Sequence, residues 1–571
     1  MPLRLAIAAC ASVPFLASLH TYPIPTFYAE FATGVCWIAL AVAVLALTWS
    51  SQTGLPRIAL APLALISVLF VQLQAAPPLN PFLSLVAAVF LLAAAVVCGL
   101  GARCRNLPGV LEALAIGLIL GGLLTVAIEF LQAFRVEELS PTFISMSPTG
   151  PDRRMWGNLN QPNHVASYLA FGLAACAFLA SKYRRIRTPL VVVAFALLVG
   201  MSLTFSRISW LHLVAVGGLA GIAWTHSLRG WRRWAMACVP TLVLALTYQC
   251  LNELVSYANL LWHLDLPGSL GERLKEGTGS RMLLWKHAWR MFLMHPWLGG
   301  GWGDYAWNQY VQIDTVGPAV LSLHAHNIVL DLLAKVGLVG LLAVALPFAG
   351  LARVVWRNRV TPEHVLLYGV ILVMAAHSML EYPLHYLYFL LPFAFALGYV
   401  DDCILRVPSA AMTKSLAAMV LIGNVVLLGH LWRDYDAVER LIYAPDQVFA
   451  QELERYRRQG GTLLSPFGTQ AEAMRWNVVP IMAPALELLE RQAAEFLPNT
   501  NVVQRYALAL AYLRKTDEAV TQVRRMHNTL QQYEVTRMHL LEDACKLKDQ
   551  TDALRLFCSR LKAEGLLSGA D

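Results

Sequence analysis

The sequence predicts an all-α fold, a polytopic transmembrane helical bundle of about 12–13 spans followed by a soluble helical region. The first observation is composition: of 571 residues, 57% are hydrophobic and 14% are charged, whereas soluble proteins carry about 25% charged residues. The second is that apolar runs of about 20 residues, long enough to cross a bilayer, recur as far as residue 432. Most of the chain therefore has little water-facing surface to cover.

The predicted spans follow one another from the N-terminus. They cover residues 4–20, 30–49, 58–76, 81–100, 109–132, 163–181, 188–204, 208–225, 235–255, 327–351, 363–380, 386–401 and 414–432. Residues 1–19 also resemble a signal peptide, because Arg4 precedes an apolar stretch. No small-x-small cleavage site leads from this stretch into a soluble domain, so we interpret it as a retained first span, with cleavage as the alternative.

The short connections between the spans alternate in charge, which predicts the orientation of the chain. Arg57, Arg103 and residues 182–187 place basic side chains in one set of connections, whereas the short connections of the other set are nearly free of them. Basic loops remain in the cytoplasm, so the N-terminus is predicted inside and the connections 133–162 and 256–326 outside. The chain has a net charge of +8, and its positive excess lies in this membrane part, so it indicates topology and not a nucleic-acid partner.

Span count and orientation together predict two domains. Residues 1–432 form a transmembrane domain, and residues 433–571 form a helical domain on the outer side. The outer connection 256–326 is too long for a simple linker, since connections beyond about 15 residues are usually functional or disordered. A helical pattern at 281–294 within it predicts an ordered structure.

Amphipathic patterns predict that the tail is helical. Apolar residues recur at a spacing near 3.6 in four segments, at 485–496, 502–513, 518–530 and 534–547. Helix pairs with short turns are typical of tetratricopeptide-like modules, but no strict repeat is visible, so an ordinary helical bundle remains an alternative. Cys545 and Cys558 both lie in this tail. Outside the cytoplasm they would either form a disulfide or remain buried and unpaired.

Polar residues at the rim of an apolar bundle are energetically costly, so several clusters are functional candidates. The string from Asn158 to His164 contains Gln161 and Asn163. A helix cap would account for only one of these residues, whereas amides and an imidazole together suit hydrogen bonds to a sugar or a phosphate. Arg207 lies between two closely spaced spans, where snorkelling to the membrane interface is the alternative role.

Two further clusters lie in the second half of the chain. Arg281 precedes a glycine-rich turn at 299–303 that has neither the P-loop order nor the dinucleotide-binding order, so no nucleotide site is predicted there. Glu381 and Tyr382 follow the eleventh predicted span. An aromatic belt would account for the tyrosine but not for the carboxylate.

The last cluster is His324-Ala-His326-Asn327, at the start of the tenth predicted span. Two histidines two residues apart would not share a helix face, and no third ligand is evident in the sequence, which disfavours zinc. A neutral imidazole at the water–membrane boundary suits a general base, because its reference pKa lies near the operating pH.

These clusters resemble the motifs of one family. His326-Asn327, nine further residues, Gly337 and Gly340 match the pattern H-N-x9-G-x-x-G of the O-antigen ligase and polymerase superfamily. The string from Gly157 to His164 is similar to the hallmark of bacterial protein O-oligosaccharyltransferases of the PglL (PilO-like) type. Other similar segments are 204–207, 279–281, 296–299 and 377–383. The resemblance covers nearly the whole chain.

The resemblance implies a multi-pass glycosyltransferase of the bacterial inner membrane, with its active site and tail in the periplasm. It implies en bloc, inverting transfer of an oligosaccharide from undecaprenyl-diphosphate to Ser/Thr hydroxyls of periplasmic proteins such as pilins, with no metal and no other cofactor. It assigns His326 as the base and Arg207 and Arg281 as ligands of the diphosphate. Further substrate-binding candidates are Gln161, Asn163, His164, Asn327, Glu381 and Tyr382. His324 lies outside the motif, so the resemblance assigns it no role.

The chemistry is consistent with these roles. A serine or threonine hydroxyl is a weak nucleophile that benefits from a positioned base. Two guanidinium groups can bind a leaving diphosphate bidentately, and such preorganised charge can contribute about 3–4 kcal/mol per donor. Ligation of O-antigen to lipid A core and glycan polymerisation would use the same donor and remain alternatives. A transporter is disfavoured by the large outer connection and by the absence of charged residues in the middle of the membrane.

Overall fold

The computed structural model describes residues 1–48, 54–268, 279–357, 360–405, 410–460, 462–530 and 538–567. Residue 49 of the second predicted span, residues 269–278 of the outer connection and residues 534–537 of the last predicted tail helix lie outside the described residues.

The described residues form twenty-four α-helices. They are α1 (Pro2–Ser12), α2 (Phe27–Thr48), α3 (Leu60–Ala75), α4 (Pro81–Cys104), α5 (Val110–Ala133), α6 (Pro162–Lys182), α7 (Arg187–Leu203), α8 (Ser209–Trp224), α9 (Gly230–Ala237), α10 (Val239–Trp262), α11 (Gly279–Met294), α12 (Tyr305–Val311), α13 (Ile313–Val316), α14 (Ile328–Arg357), α15 (Pro362–Ser378), α16 (Leu387–Val400), α17 (Ala410–Tyr443), α18 (Asp446–Arg458), α19 (Ser465–Ala473), α20 (Ala483–Phe496), α21 (Thr500–Tyr512), α22 (Thr516–Leu530), α23 (His539–Lys546) and α24 (Asp552–Ala563).

Shorter elements connect these helices. Six 3₁₀ turns lie in the described part, at Val13–Leu16, Arg57–Ala59, Glu137–Leu139, Gly157–Leu159, Arg184–Ile186 and Pro383–His385. The strands β1 (Leu55–Pro56) and β2 (Ile404–Leu405) pair antiparallel, with Leu55 opposite Leu405.

The helices confirm the polytopic, all-α fold class. Within the described residues, eight helical segments are long and apolar enough to cross a membrane: Phe27–Thr48, Arg57–Ala75, Pro81–Cys104, Val110–Ala133, Pro162–Lys182, Arg184–Leu203, Gly230–Trp262 and Ile328–Arg353. Three shorter apolar helical segments are Pro2–Leu16, Ser209–Trp224 and Leu387–Val400. The two other predicted spans coincide with α15 and with part of α17. The protein is therefore a multi-pass membrane protein.

The chain folds into two compact units, and the first comprises residues 1–63, 90–277 and 344–428. Helix α6 is its most buried span and packs against α5, α7, α8 and α15. Gly369 allows α15 to approach closely, because a Cβ atom there would lie 2.7 Å from the Ala174 side chain. The α6 segment can therefore carry polar side chains into a protein interior.

The second unit comprises residues 64–89, 278–343 and 429–571. Its core consists mainly of α20–α24, and α12 from the outer connection packs on it. The Tyr310 hydroxyl donates to the Gln522 carbonyl oxygen at 2.8 Å, and Arg525 forms an ion pair with Asp314 at 2.7 Å. Residues 305–316 of the connection 256–326 thus pack on the tail. The predicted domain boundary at residue 432 falls inside α17 and stays a prediction.

The tail contains a disulfide between Cys545 and Cys558 that joins α23 to α24, with the two Cα atoms 5.6 Å apart. This selects pairing over the unpaired alternative left open by the sequence. The tetratricopeptide-like character of the tail stays a prediction.

Candidate active site

In the first unit, Gln161 begins a buried polar network. It is the N-cap of α6, and its side-chain oxygen accepts a hydrogen bond from the His164 backbone N–H at 2.7 Å. Its side-chain amide nitrogen donates to Glu381 at 2.9 Å. Both ends of this side chain therefore contact protein groups, one from α6 and one from the segment after α15.

Asn163 extends the network in two directions. Its Nδ2 donates to Glu381, and its Oδ1 accepts hydrogen bonds from the Ser206 hydroxyl at 2.6 Å and from Arg154 at 3.0 Å. Arg154 also donates to the Thr204 carbonyl oxygen at 2.8 Å. The amide of Asn163 thus connects a carboxylate, a hydroxyl and a guanidinium group.

Arg207 lies in the turn between α7 and α8, directly after the Ser206 that donates to Asn163. The turn bends sharply, since Phe205 has φ of 47° and is fully buried. A left-handed conformation at a bulky residue persists only where its surroundings enforce it. The Asn163 contact therefore helps to fix the turn that carries the half-buried Arg207 side chain.

His377 continues the network into the bundle. Its Nε2 lies 3.0 Å from the Glu381 carboxylate, and its Nδ1 lies 2.8 Å from the Ser167 hydroxyl. Ser167 in turn lies 3.4 Å from Nε2 of His212. All four side chains are buried. Such groups are costly without partners, so this chain of contacts accounts for their presence among apolar helices.

His164, His377 and Glu381 could also hold a metal ion, because one ligand atom from each lies within 4.8 Å of the others. However, both ring nitrogens of His377 already have hydrogen-bond partners, and Nδ1 of His164 lies 3.1 Å from the Tyr388 hydroxyl. The existing contacts satisfy these groups, so we describe the cluster as a hydrogen-bonded network.

Tyr382 belongs to an aromatic stack beside this network. Its ring centroid lies 5.9 Å from that of Tyr386, which lies 5.4 Å from that of Tyr388. Tyr388 is buried and contacts His164. The stack extends from a partly exposed tyrosine to the histidine of the α6 string.

In the second unit, His326 lies two residues before the start of α14 in a left-handed conformation, with φ of 54°. The next residue, Asn327, accepts hydrogen bonds from the backbone N–H groups of Val329 and Leu330, both at 3.1 Å. Asn327 therefore satisfies N–H groups that the first turn of a helix leaves unpaired. This cap helps to fix the backbone on the C-terminal side of His326.

Gly337, the first glycine of the H-N-x9-G-x-x-G pattern, has a structural role together with the glycines of the turn after α11. Gly337 interrupts α14 with φ of 66°, and a Cβ atom there would lie 2.3 Å from the Trp297 carbonyl oxygen. Gly299 approaches equally closely, since its Cβ atom would lie 2.3 Å from the Lys335 carbonyl carbon. Gly300 donates its backbone N–H to the Ala334 carbonyl oxygen at 2.8 Å. Gly337 and Gly299 thus let the turn after α11 pack against the interrupted helix.

Arg281 is the third residue of α11 and is half-buried. Two turns further along this helix, His287 is buried, and its Nε2 lies 3.0 Å from the Gly317 carbonyl oxygen. Burial lowers the pKa of His287, and the contact with Gly317 raises it to a smaller extent. The Gln312 side chain donates to the His287 carbonyl oxygen at 2.9 Å, which fixes α11 on the neighbouring segment.

The structure therefore brings Gln161, Asn163, His164 and Glu381 together in the first unit. His326 and Asn327 are adjacent in the second unit, which also contains Arg281. Sequence reasoning missed Arg154, Ser167, His212, Asp331 and Lys335. The signal for the last two was their spacing of four residues inside an apolar run. Both residues lie in α14, within a segment long and apolar enough to cross a membrane.

Comparison with known proteins gives three family matches along the chain. Residues 155–180 match the family described as protein glycosylation ligase, and residues 192–345 match the O-antigen ligase family. Residues 365–537 match the C-terminal region of the family described as virulence factor membrane-bound polymerase. The first match covers the string around Gln161, and the second covers Arg207, Arg281 and His326.

Two similar relatives come from Acinetobacter baylyi. A general O-oligosaccharyltransferase is 25% identical over 562 residues, which covers 92% of each chain. A ComP-specific O-oligosaccharyltransferase is 21% identical over 436 residues, covering 73% of this chain and 76% of the relative. With the motif matches, these similarities show that the chain is a glycosyltransferase that is similar to the O-antigen ligase family and to the O-oligosaccharyltransferases.

Proposed function

We propose that the protein transfers an oligosaccharide en bloc from undecaprenyl-diphosphate to Ser/Thr hydroxyls of periplasmic proteins such as pilins. The observation that carries this proposal is the similarity to a general O-oligosaccharyltransferase over 92% of both chains. The geometry supports it, because the histidine of the ligase pattern is held in a defined backbone conformation at the start of α14.

In the proposed reaction, His326 removes the proton from the acceptor hydroxyl as the hydroxyl oxygen attacks the anomeric carbon. The bond between that carbon and the diphosphate oxygen breaks, and the lipid diphosphate leaves with the bonding electron pair. Attack from the face opposite the leaving group inverts the anomeric configuration. Base catalysis of this kind typically contributes about 10²–10⁴-fold in rate.

Arg207 and Arg281 are proposed to bind the diphosphate. Negative charge accumulates on the leaving group as the bond breaks, and a guanidinium group can donate two parallel hydrogen bonds to it. Neither the nucleophile nor the leaving group requires a metal in this scheme, because the base and the two guanidinium groups supply proton transfer and charge stabilisation.

Gln161, Asn163, His164, Glu381 and Tyr382 are proposed to shape the donor site from the first unit. Because Gln161 and Asn163 contact Glu381, loss of one member would leave buried polar groups unpaired. We therefore propose that these side chains act as one network, and that disrupting the network distorts the turn that carries Arg207. Asn327 is proposed to act through the cap that it provides to α14.

The Cys545–Cys558 disulfide supports a periplasmic location of the tail. Disulfides persist in the periplasm and are rare in the reducing cytoplasm. The alternation of basic loops supports the same orientation and an inner-membrane location.

Two alternatives use the same donor. The match of residues 192–345 to the O-antigen ligase family favours transfer to lipid A core as a second candidate function. The match of residues 365–537 to a membrane-bound polymerase family favours glycan polymerisation as a third. The match over 92% of the general O-oligosaccharyltransferase is more extensive than either, and it favours a protein acceptor.

The test is expression in a glycan-producing host that lacks its own ligase, with the His326→Ala variant as the inactive control. Mass spectrometry of periplasmic proteins and banding of lipopolysaccharide are measured on the same cells. Glycan attached to serine or threonine supports the proposal. A lipopolysaccharide ladder with unmodified proteins would instead support the ligase alternative, and longer lipid-linked glycan chains would support the polymerase.

A further inference from the structure

The second unit contains a buried ionic cluster that the proposed reaction does not use. The Lys335 ammonium nitrogen lies 2.9 Å from an oxygen of Asp331, one turn earlier in α14, and 2.7 Å from Nδ1 of His324. The Lys335 and Asp331 side chains are 1% and 2% exposed, respectively. Removing two such charges from water is costly, and a buried pair is poor evidence of stabilisation. A role in positioning would explain its presence.

The lysine is also held by aromatic rings. Its ammonium nitrogen lies 5.4 Å from the ring centroid of Trp302 and 5.5 Å from that of Tyr305. Cation–π contacts of this kind favour the charged ammonium over a neutral amine. Trp302 and Tyr305, which follow α11, therefore meet the ammonium group of Lys335 in α14.

The cluster contacts the backbone next to His326. The second oxygen of Asp331 accepts a hydrogen bond from the Ala325 backbone N–H at 2.9 Å. Asn327 fixes the other side through its cap of α14. His326 lies between these two fixed residues in a left-handed conformation. Such a conformation costs about 1–3 kcal/mol at a non-glycine residue and needs enforcing contacts.

The same contacts distinguish His324 from His326. An ammonium group donates hydrogen bonds and accepts none, so Nδ1 of His324 acts as the acceptor towards Lys335. The ring proton of a neutral His324 then resides on Nε2, where it can only be donated. His324 is thereby excluded as the general base in this arrangement.

We propose that this cluster positions the base through Asp331, whose contact with Ala325 holds the backbone of His326 in the conformation from which its imidazole acts, while Lys335, in contact with His324, offsets the buried charge of Asp331. The proposal rests on the proposed function of His326 as the base. Asp331 is the central member, because one carboxylate oxygen holds the Ala325 N–H and the other binds the Lys335 ammonium group.

Two double variants of the full-length protein separate the backbone contact from the charges. In Asp331→Asn/Lys335→Met, the amide oxygen can still accept from Ala325 while both charges are removed. In Asp331→Ala/Lys335→Met, the acceptor is removed as well. Both variants lack an unpaired buried charge, so they are matched controls for each other.

The first measurement is hydrogen exchange of a peptide covering residues 322–330 in detergent-solubilised protein. We expect the Asn/Met variant to exchange like wild type and the Ala/Met variant to exchange faster, because only the latter loses the Ala325 contact. The second measurement is turnover with a lipid-linked glycan and an acceptor peptide. We expect the Ala/Met variant to lose about 100-fold in kcat with the donor KM unchanged, the size expected for a misplaced catalytic group. The Asn/Met variant should keep most of the wild-type kcat.

Equal exchange and equal kcat in the two double variants would overturn the positioning role, as would a change confined to KM. His326→Ala, measured in the same assay, separates this result from failure of the proposed function. An inactive His326→Ala with an active Ala/Met variant rejects the cluster and keeps the base. An active His326→Ala rejects the base assignment and, with it, the positioning role.

Discussion

At the scale of single residues, the site depends on strained backbone held by neighbouring polar groups. His326 and Phe205 both have positive φ. His326 is itself a candidate site residue, and Phe205 lies two residues before Arg207. The backbone N–H of Ala325, which precedes His326, donates to a carboxylate oxygen of Asp331. The hydroxyl of Ser206, which follows Phe205, donates to the side-chain oxygen of Asn163. Asp331 and Asn163 are therefore needed to keep the proposed base and Arg207 in position.

Replacing His326 with alanine is expected to abolish transfer while leaving the protein inserted in the membrane. The imidazole would be lost as a base, and alanine offers no group to accept the proton of the acceptor hydroxyl. Glycoprotein yield and membrane content are measured together. The exposed His430 of α17 provides the matched control, since His430→Ala should leave transfer unchanged. Full activity of His326→Ala would remove the base assignment.

Replacing Arg281 with lysine is expected to impair transfer severely. Lysine keeps the positive charge but lacks the planar fork that binds a diphosphate bidentately. We expect a loss of about 10²-fold in kcat/KM, comparable to removal of one preorganised donor. Single-turnover rates measured over a range of donor concentrations, including concentrations below saturation, check this expectation. A lysine variant with the wild-type rate would show that Arg281 contributes charge only, or nothing.

Several site residues could be predicted from the sequence because polar groups are conspicuous in an apolar chain. Gln161, Asn163 and Glu381 were identified in this way, and the structure places them in one network. Arg154 was missed because it lies in a connection without a regular pattern, so the sequence gives no sign of its contact with Asn163, nine residues further on. The partners of Lys335 could not be predicted either, since contacts between α14 and residues distant in sequence depend on the fold.

At the scale of elements, the interruption of α14 is the feature most sensitive to a small change. Gly337→Ala is expected to destabilise the second unit strongly, because a Cβ atom would overlap the Trp297 carbonyl oxygen and the positive φ disfavours alanine. We expect a lower thermal midpoint in detergent and loss of transfer. Gly429→Ala in α17 is the control, since its Cβ atom would meet nothing within 4 Å. Equal midpoints for the two variants would contradict this role of Gly337.

The tail helix α20 contains a buried carboxylate whose titration should be visible in stability. Glu490 is fully buried, and neither of its carboxylate oxygens has a hydrogen-bond partner among the described residues. Burial raises the pKa of Glu490 from 4.5 to about 8, and the positive charge of Arg505 offsets this only in part. The folded state therefore binds a proton that the unfolded state releases at lower pH.

The sign of the pH dependence follows from this difference. Between pH 4.5 and about 8, the folded tail holds more protons than the unfolded one, so its free energy of unfolding falls as pH rises. Glu490→Gln keeps the shape but cannot ionise, so the variant should be more stable than wild type above pH 8 and similar to it near pH 5. Thermal unfolding of the full-length protein at several pH values checks this, with the exposed Glu518→Gln as control. Parallel curves for wild type and Glu490→Gln would refute the assignment.

Element positions were largely predictable because apolar length is a local property of the sequence. The predicted spans all coincide with helices, whereas the interruption of α14 at Gly337 was not predicted. A glycine in an apolar run gives no local sign of whether it continues a helix or breaks it. The approach of the Trp297 carbonyl oxygen decides between these outcomes, and that contact is specified by the fold.

At the scale of the whole molecule, composition and span count predicted the class of protein, but not which segments share a core. Residues 64–89, the described part of 278–343, and the tail after residue 429 form one compact unit. Their grouping depends on contacts such as the one between Tyr310 and Gln522, which are more than 200 residues apart in sequence. Such a contact gives no sign in the local sequence, whereas the helices that make it are visible there as apolar patterns.

The orientation of the whole chain is the last expectation open to direct measurement. A phosphatase reporter fused to the C-terminus should be active, and the same reporter inserted in the basic connection after Ser227 should be inactive, because basic loops stay in the cytoplasm. Thiol labelling of intact cells should find Cys545 and Cys558 oxidised, since the periplasm maintains disulfides and the cytoplasm reduces them. The two measurements are independent, as one depends on the charged loops and the other on the redox state of the compartment. An inactive C-terminal reporter together with reduced cysteines would place the tail in the cytoplasm and would exclude transfer to periplasmic acceptors.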